Sequence, residues 1–125
     1  MAAEKIKIIK TIKKFIKETD KRFSVRRVVL FGSHARGQNK KFSDIDLAVI
    51  SDAFKNMSHY DRLVALGTIA WQAKTTEVEA LGFTEKEYWK TDDMDILGEI
   101  KRKGRIVYEN TSSYHKTVKK QFKSR

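Results

Sequence analysis

Residues 28–50 read VVLFGSHARGQNKKFSDIDLAVI, and this stretch decides the fold. A β-rich run over residues 25–31 follows Ser24 and stops at Gly32. Ser33-His34-Ala35-Arg36 reads as one helical turn closed by Gly37, and residues 38–43 are polar and loop-like. Over residues 44–50 the pattern alternates. Ile45, Leu47 and Val49 point one way, and Asp44, Asp46, Ala48 and Ile50 the other. One strand therefore ends in Gly-Ser, ten residues intervene, and Asp-Ile-Asp opens the next strand.

Each part has a chemical use. Gly32 lets the backbone turn sharply and come close to a ligand with no side chain in between. Ser33, at the start of a helical turn, sets a hydroxyl beside unpaired backbone N–H groups, a natural seat for a phosphate. Asp44 and Asp46, two apart on a strand, project from one face. Carboxylates held so close repel unless a cation lies between them, and the hard oxygen donors suit Mg²⁺. A Gly-Ser or an Asp-x-Asp alone is a common turn. In combination, on the side shared with Ala48 and Ile50, two carboxylates without a cation or strong partners would be costly.

Outward from this stretch, residues 4–19 read as a helix with Ile6, Ile9, Ile12 (or Phe15) and Ile16 on one face and lysines on the other. A second helix spans residues 58–73, where Leu63, Leu66, Ile69, Ala70 and Ala73 make the buried stripe. Residues 76–81 form a third strand ended by Gly82. Thr84 with Glu87 is a capping-box pattern opening a short helix. Asp92 or Asp93 caps another, which carries Ile96, Leu97 and Ile100 and ends at Gly104. Ile106-Val107-Tyr108 is a last strand. This order specifies an α+β (α/β) fold, a small mixed β-sheet with helices packed mainly on one face.

Composition narrows the function. The 125 residues fit one domain and leave no room for a second, substrate-binding one. The absence of cysteine excludes disulfides and thiolate metal sites. No apolar run approaches the roughly 18–20 residues that cross a bilayer. The opening MAAEKIKIIKTIKKF breaks its apolar residues with lysines, unlike a signal peptide. The expected location is cytoplasmic, with no membrane partner. A formal charge of +11, from 27 basic and 16 acidic residues, favours nucleotides, RNA or an acidic protein as partners without choosing among them. The last fifteen residues hold four lysines and one arginine and no carboxylate, as a solvated basic tail does.

Gly-Ser, ten residues and Asp-x-Asp resembles the signature of the polymerase-β-like nucleotidyltransferase superfamily, and GSHARG followed by SDIDLAVI is similar to its minimal nucleotidyltransferase (MNT) branch. The order of elements is similar over residues 1–108. The resemblance implies a nucleotidyltransferase domain over residues 1–110 followed by the basic tail, 111–125. It makes Gly32 and Ser33 nucleotide-phosphate residues and Asp44 and Asp46 metal ligands, and calls for a third carboxylate on a later strand. The segment TTEVEAL offers Glu77 and Glu79, which share a face. Glu79 is preferred, because a turn and a short acidic helix follow it in VEALGFTEKEYW as they do in relatives. Arg36, Lys40 and Lys41 are second-tier candidates at the nucleotide: Arg36 belongs to the same family element, where bracing the loop or the sheet is its other reading, and the two lysines are placed to meet the triphosphate. His34, His59 and His115 read as surface or structural residues, and Trp71 and Trp89 as core or interface anchors.

The implied chemistry is transfer of a nucleoside monophosphate, AMP from ATP by family habit, to a hydroxyl with release of pyrophosphate. Two Mg²⁺ ions serve such a reaction. Minimal members pair with a separate HEPN-type toxin, and some adenylylate a tyrosine on it, which implies a protein partner in trans. Two other readings stand beside this one. An enzyme extending RNA 3′ ends is favoured by the basic charge and disfavoured by the scarcity of stacking aromatics among basic residues. A catalytically inactive antitoxin acting by contact is disfavoured by the intact Ser33, Asp44 and Asp46.

Overall fold

A computed structural model describes residues 2–32, 34–35, 44–90 and 95–110. Ser33, Arg36, Lys40, Lys41, Asp92, Asp93, His115 and the tail at 111–125 lie outside the described residues.

The first helix, α1 (Ala2–Phe23), runs beyond both expected ends. Its buried face is Ile12, Phe15, Ile16, Thr19 and Phe23, while Ile6 and Ile9 stay about half exposed. Ile8 meets the core there instead, so the seam expected over the first turns was drawn on the wrong residues. Strand β1 (Arg27–Phe31) is followed by β2 (Ile45–Ile50) and by a 3₁₀ turn at Asp52–Phe54. Helix α2 (His59–Gln72) opens at Ser58, whose hydroxyl accepts the Asp61 N–H at 3.0 Å. Leu66, Ile69, Ala70 and Ala73 are buried as expected, but Leu63 is not; Arg62 takes its place in the interior.

Strand β3 (Val78–Phe83) starts two residues later than expected and passes through Gly82 rather than ending there. A Cβ at Gly82 would lie 2.9 Å from Cε2 of Phe54, so this glycine makes room for a core ring. The capping box at α3 (Glu85–Lys90) is reciprocal: the Thr84 N–H donates to Glu87 Oε1 at 2.8 Å, and the Glu87 N–H to Thr84 Oγ1 at 3.1 Å. Asp95, rather than Asp92 or Asp93, caps α4 (Ile96–Lys103) by accepting the Gly98 N–H at 2.9 Å. The chain then enters β4 (Arg105–Glu109).

Among the described residues the strands form one mixed sheet in the order β3-β2-β1-β4, with β1 antiparallel to β2 and β4 and β2 parallel to β3. The alternation along β2 divides the interior. Leu47 and Val49 join Phe15, Leu66 and Ile69 beneath the two long helices, and Ala48 and Ile50 join Tyr88, Leu97 and Ile100 beneath the two short ones. Most helical residues thus cover one face, as expected, and a smaller pair closes the other. No helix among the described residues is long and apolar enough to cross a membrane.

Two buried arginines tie the layers together. Arg62 donates to both carboxylate oxygens of Glu87 (2.7 and 3.2 Å) and to the Met57 carbonyl at 3.0 Å. Arg27 reaches Glu85 at 2.7 Å and Glu109 at 2.8 Å and lies over the Tyr88 and Trp89 rings. Neither tryptophan is a core anchor: Trp71 is 74% and Trp89 60% exposed.

Candidate active site

The strands bring the acidic residues to one end of the sheet. Phe31 at the end of β1 stands opposite Asp46, and Asp46 stands opposite Glu79 across the parallel β2–β3 pair. Asp44 lies just before β2 and contacts Glu79 through a side-chain hydrogen bond. Glu77 precedes β3, and its carbonyl accepts the Ile45 N–H at 2.8 Å. The register therefore sets Glu79, not Glu77, directly beside Asp46.

Gly32 turns the chain out of β1 with φ of +75°, in the left-handed region. A Cβ on Gly32 would lie 2.2 Å from Asp46 Oδ2 and 3.1 Å from its Cγ. The Asp46 carboxylate thus rests on the bare Cα of Gly32, and the turn and the acid are one unit.

The electrostatics follow from crowding. The Glu79 carboxyl is raised above its ordinary value first by the hydrogen bond with Asp44, then by the Asp44 charge, by burial and by Asp46. Asp46 is raised first by burial and then by Asp44, with the half-buried His34 opposing. His34 reads from sequence as surface or structural; its position three residues after the end of β1 carries no local signal of this proximity to Asp46.

The donor set is oxygen-only and negative, which fits a hard divalent cation in chemistry. As placed, no three His, Cys, Asp or Glu side chains among the described residues converge tightly enough to hold an ion. The proximity of Asp44 and Asp46 instead raises the Glu79 carboxyl, through the repulsion that a cation between them would relieve.

Two depressions open beside the acids. One, about 550 Å³, is bounded by Asp46 and Glu79, by Val78, Ala80 and Leu81 of β3, by Leu63 and Gly67 of α2, and by Phe31 and Ile96. The other, about 380 Å³, shares Phe31 and Ile96 and adds Gly32, Asp95, Glu99, Ile100 and Lys103. Gly32, Asp44, Asp46 and Glu79 are thus gathered at one site; Ser33, Arg36 and Lys41 lie outside the described residues.

The fold is shared with known proteins. A protein of Methanocaldococcus jannaschii, provisionally named a protein adenylyltransferase, is 25% identical over 101 residues, covering 79% of this chain and 96% of that protein. A provisionally named nucleotidyltransferase of Sulfolobus solfataricus has a similar structure, with a TM-score of 0.61 and 22% identity over 84% of this chain and 83% of that one. A toxin–antitoxin structure solved with AMP-PNP is similar at a TM-score of 0.57 and 18% identity, covering 84% of this chain and 76% of that one. The model of the nucleotidyltransferase domain family matches residues 9–121, nearly the whole sequence. The chain belongs to the nucleotidyltransferase domain family, and its class of activity is nucleotidyl transfer.

Proposed function

We propose that this chain is a Mg²⁺-dependent adenylyltransferase of the minimal nucleotidyltransferase kind, moving AMP from ATP to a hydroxyl on a partner protein, a HEPN-type toxin. The observation that carries the reading is the alignment of Asp46 with Glu79 across β2–β3, with the Asp46 carboxylate seated on Gly32 and Asp44 touching Glu79.

In this reading Asp44, Asp46 and Glu79 are the metal ligands, and Gly32, Ser33, Arg36 and Lys41 serve the nucleotide. When bound, two Mg²⁺ ions supply charge neutralisation and alignment of the attacking and leaving oxygens. The backbone at Gly32 offers close approach to the triphosphate, and the Ser33 hydroxyl and neighbouring amides donate to its oxygens. The acceptor oxygen attacks the α-phosphorus, the bond to pyrophosphate breaks, and the acceptor proton passes to Glu79. The side chains contribute position and electrostatics; no covalent enzyme intermediate is needed. Residues 1–110 form the catalytic unit and 111–125 a basic extension.

ATP labelled at the α- or the γ-phosphate tests this, with Mg²⁺ and either host protein or total RNA as acceptor. The expected result is α-label on protein and γ-label released as pyrophosphate. Transfer of γ-label would refute nucleotidyl transfer, and α-label confined to RNA would favour the RNA-extending reading.

A further inference from the structure

The outer side of α2 carries an apolar stripe that stands largely open to solvent among the described residues. Tyr60 and Trp71 are 71% and 74% exposed, and Leu63 and Val64 are about half exposed. With Gly67 these positions fall within one sector of roughly 100° on the helix. Scattered exposed apolar residues are ordinary. A contiguous run ending in a tyrosine and a tryptophan is not, and these are the residue types that dominate protein interfaces.

Gly67 adds a second observation. It sits in the interior of the helix, and a Cβ placed on it would meet nothing within 4 Å. No contact among the described residues calls for glycine there, and alanine would make a more stable helix. The missing side chain leaves a notch flanked by Leu63 and Trp71, one turn away on either side. Leu63 and Gly67 also bound the depression that contains Asp46 and Glu79, above β3, the edge strand of the sheet. The stripe therefore runs without a break from open solvent to the acids.

Charge identifies the occupant. The chain carries a formal +11, yet the only charged residues of α2 are Asp61 and Arg62, and Arg62 is buried against Glu87. Basic residues gather only beyond the far end of this face, where Lys74 lies with Lys14, Lys21 and Arg22, so among the described residues a nucleic acid lying along the face itself would find few of the phosphate contacts that supply most of nucleic-acid affinity. An apolar ridge on a folded protein fits it.

Resting on the function proposed above, we propose that the Tyr60–Leu63–Val64–Gly67–Trp71 face of α2 docks the protein that carries the acceptor hydroxyl, with a side chain of that protein entering at Gly67 and leading to Asp46 and Glu79. The face selects the acceptor; the acids act on it.

The test uses α-labelled ATP, Mg²⁺ and soluble protein from the native host, with the wild-type chain, Trp71→Glu and Gly67→Gln. The wild type is expected to label a discrete protein, and both variants to label it at least tenfold more slowly. Gly67→Gln should melt no lower than wild type, because glutamine is the better helix former and the space is open. Equal labelling by wild type and both variants would overturn the docking face and leave the nucleotidyltransferase reading intact. Label found only on RNA, only on this chain, or on nothing would also overturn it. Absence of label together with absence of any Mg²⁺–ATP stabilisation would take the underlying reading down as well.

Discussion

Gly32→Ala perturbs the backbone and the acid together. With φ at +75° an L side chain there is strained by about 1–2 kcal/mol. For a domain of this size that lowers Tm by roughly 3–10 °C. The added Cβ would also stand 2.2 Å from Asp46 Oδ2, so the carboxylate must retreat. Restoring ordinary contact takes a shift of about 1 Å, and a misplacement of about that size at reacting groups lowers rates about 10²-fold. The assay pairs thermal melting with the initial rate of α-label transfer from ATP. Gly67→Ala is the control of opposite sign: its backbone is helical, its surroundings are open, and it should gain about 0.5–1 kcal/mol. A Gly32→Ala chain that transfers label at the wild-type rate would refute the claim that Asp46 works from its seat on this glycine.

The remaining predictions concern the frame that holds the site. Glu87→Gln leaves the Arg62 guanidinium, 4% exposed, without its carboxylate, and should destabilise the fold by about 3 kcal/mol at neutral pH. Burial works against ionisation of Glu87, but the hydrogen bonds from Arg62 and the Thr84 amide outweigh it and hold the carboxyl below its ordinary value. The wild type's advantage is therefore complete above the unfolded value of about 4.3 and is lost as pH falls through the lower folded value. Urea titrations of both chains at pH 7 and pH 3 should show the gap narrowing at the lower pH; a gap that is unchanged or wider there contradicts the assignment. Gly82→Ala presses a Cβ to 2.9 Å from the Phe54 ring and should destabilise by about 1–3 kcal/mol, read as a lower urea midpoint with an unchanged slope.

The strand pair around Gly32 was legible because apolar residues on both faces of β2 alternate with so few exceptions that only Asp44 and Asp46 stand out. The Thr84–Glu87 box was legible because capping is local, within three residues. What escaped were features whose partners are distant in sequence. Nothing local marked Arg62 as buried, since its partner Glu87 lies 25 residues away and already reads as a capping residue. Arg27 is likewise buried only because Glu85 and Glu109 converge on it. Asp92, Asp93 and Asp95 are all N-cap residue types, so residue type alone could not choose Asp95. Trp71 carries an apolar side chain on a helix whose buried stripe lies elsewhere. Glu79 was preferred over Glu77 through the resemblance alone, because both residues share a face and periodicity could not separate them; that Glu79 stands beside Asp46 depends on the parallel register of β3 against β2.

The central claim, that Asp44, Asp46 and Glu79 hold Mg²⁺–nucleotide, is tested most directly by melting the wild type and Asp46→Asn with EDTA, with ATP and EDTA, and with Mg²⁺–ATP. At a ligand concentration about 100-fold above Kd, binding to the folded chain adds about 2.7 kcal/mol. The wild type should show this gain only when Mg²⁺ and ATP are both present. Asp46→Asn, relieved of repulsion from Asp44, should melt at or above the wild type in EDTA and gain little from Mg²⁺–ATP. Equal gains in the two chains would contradict the account.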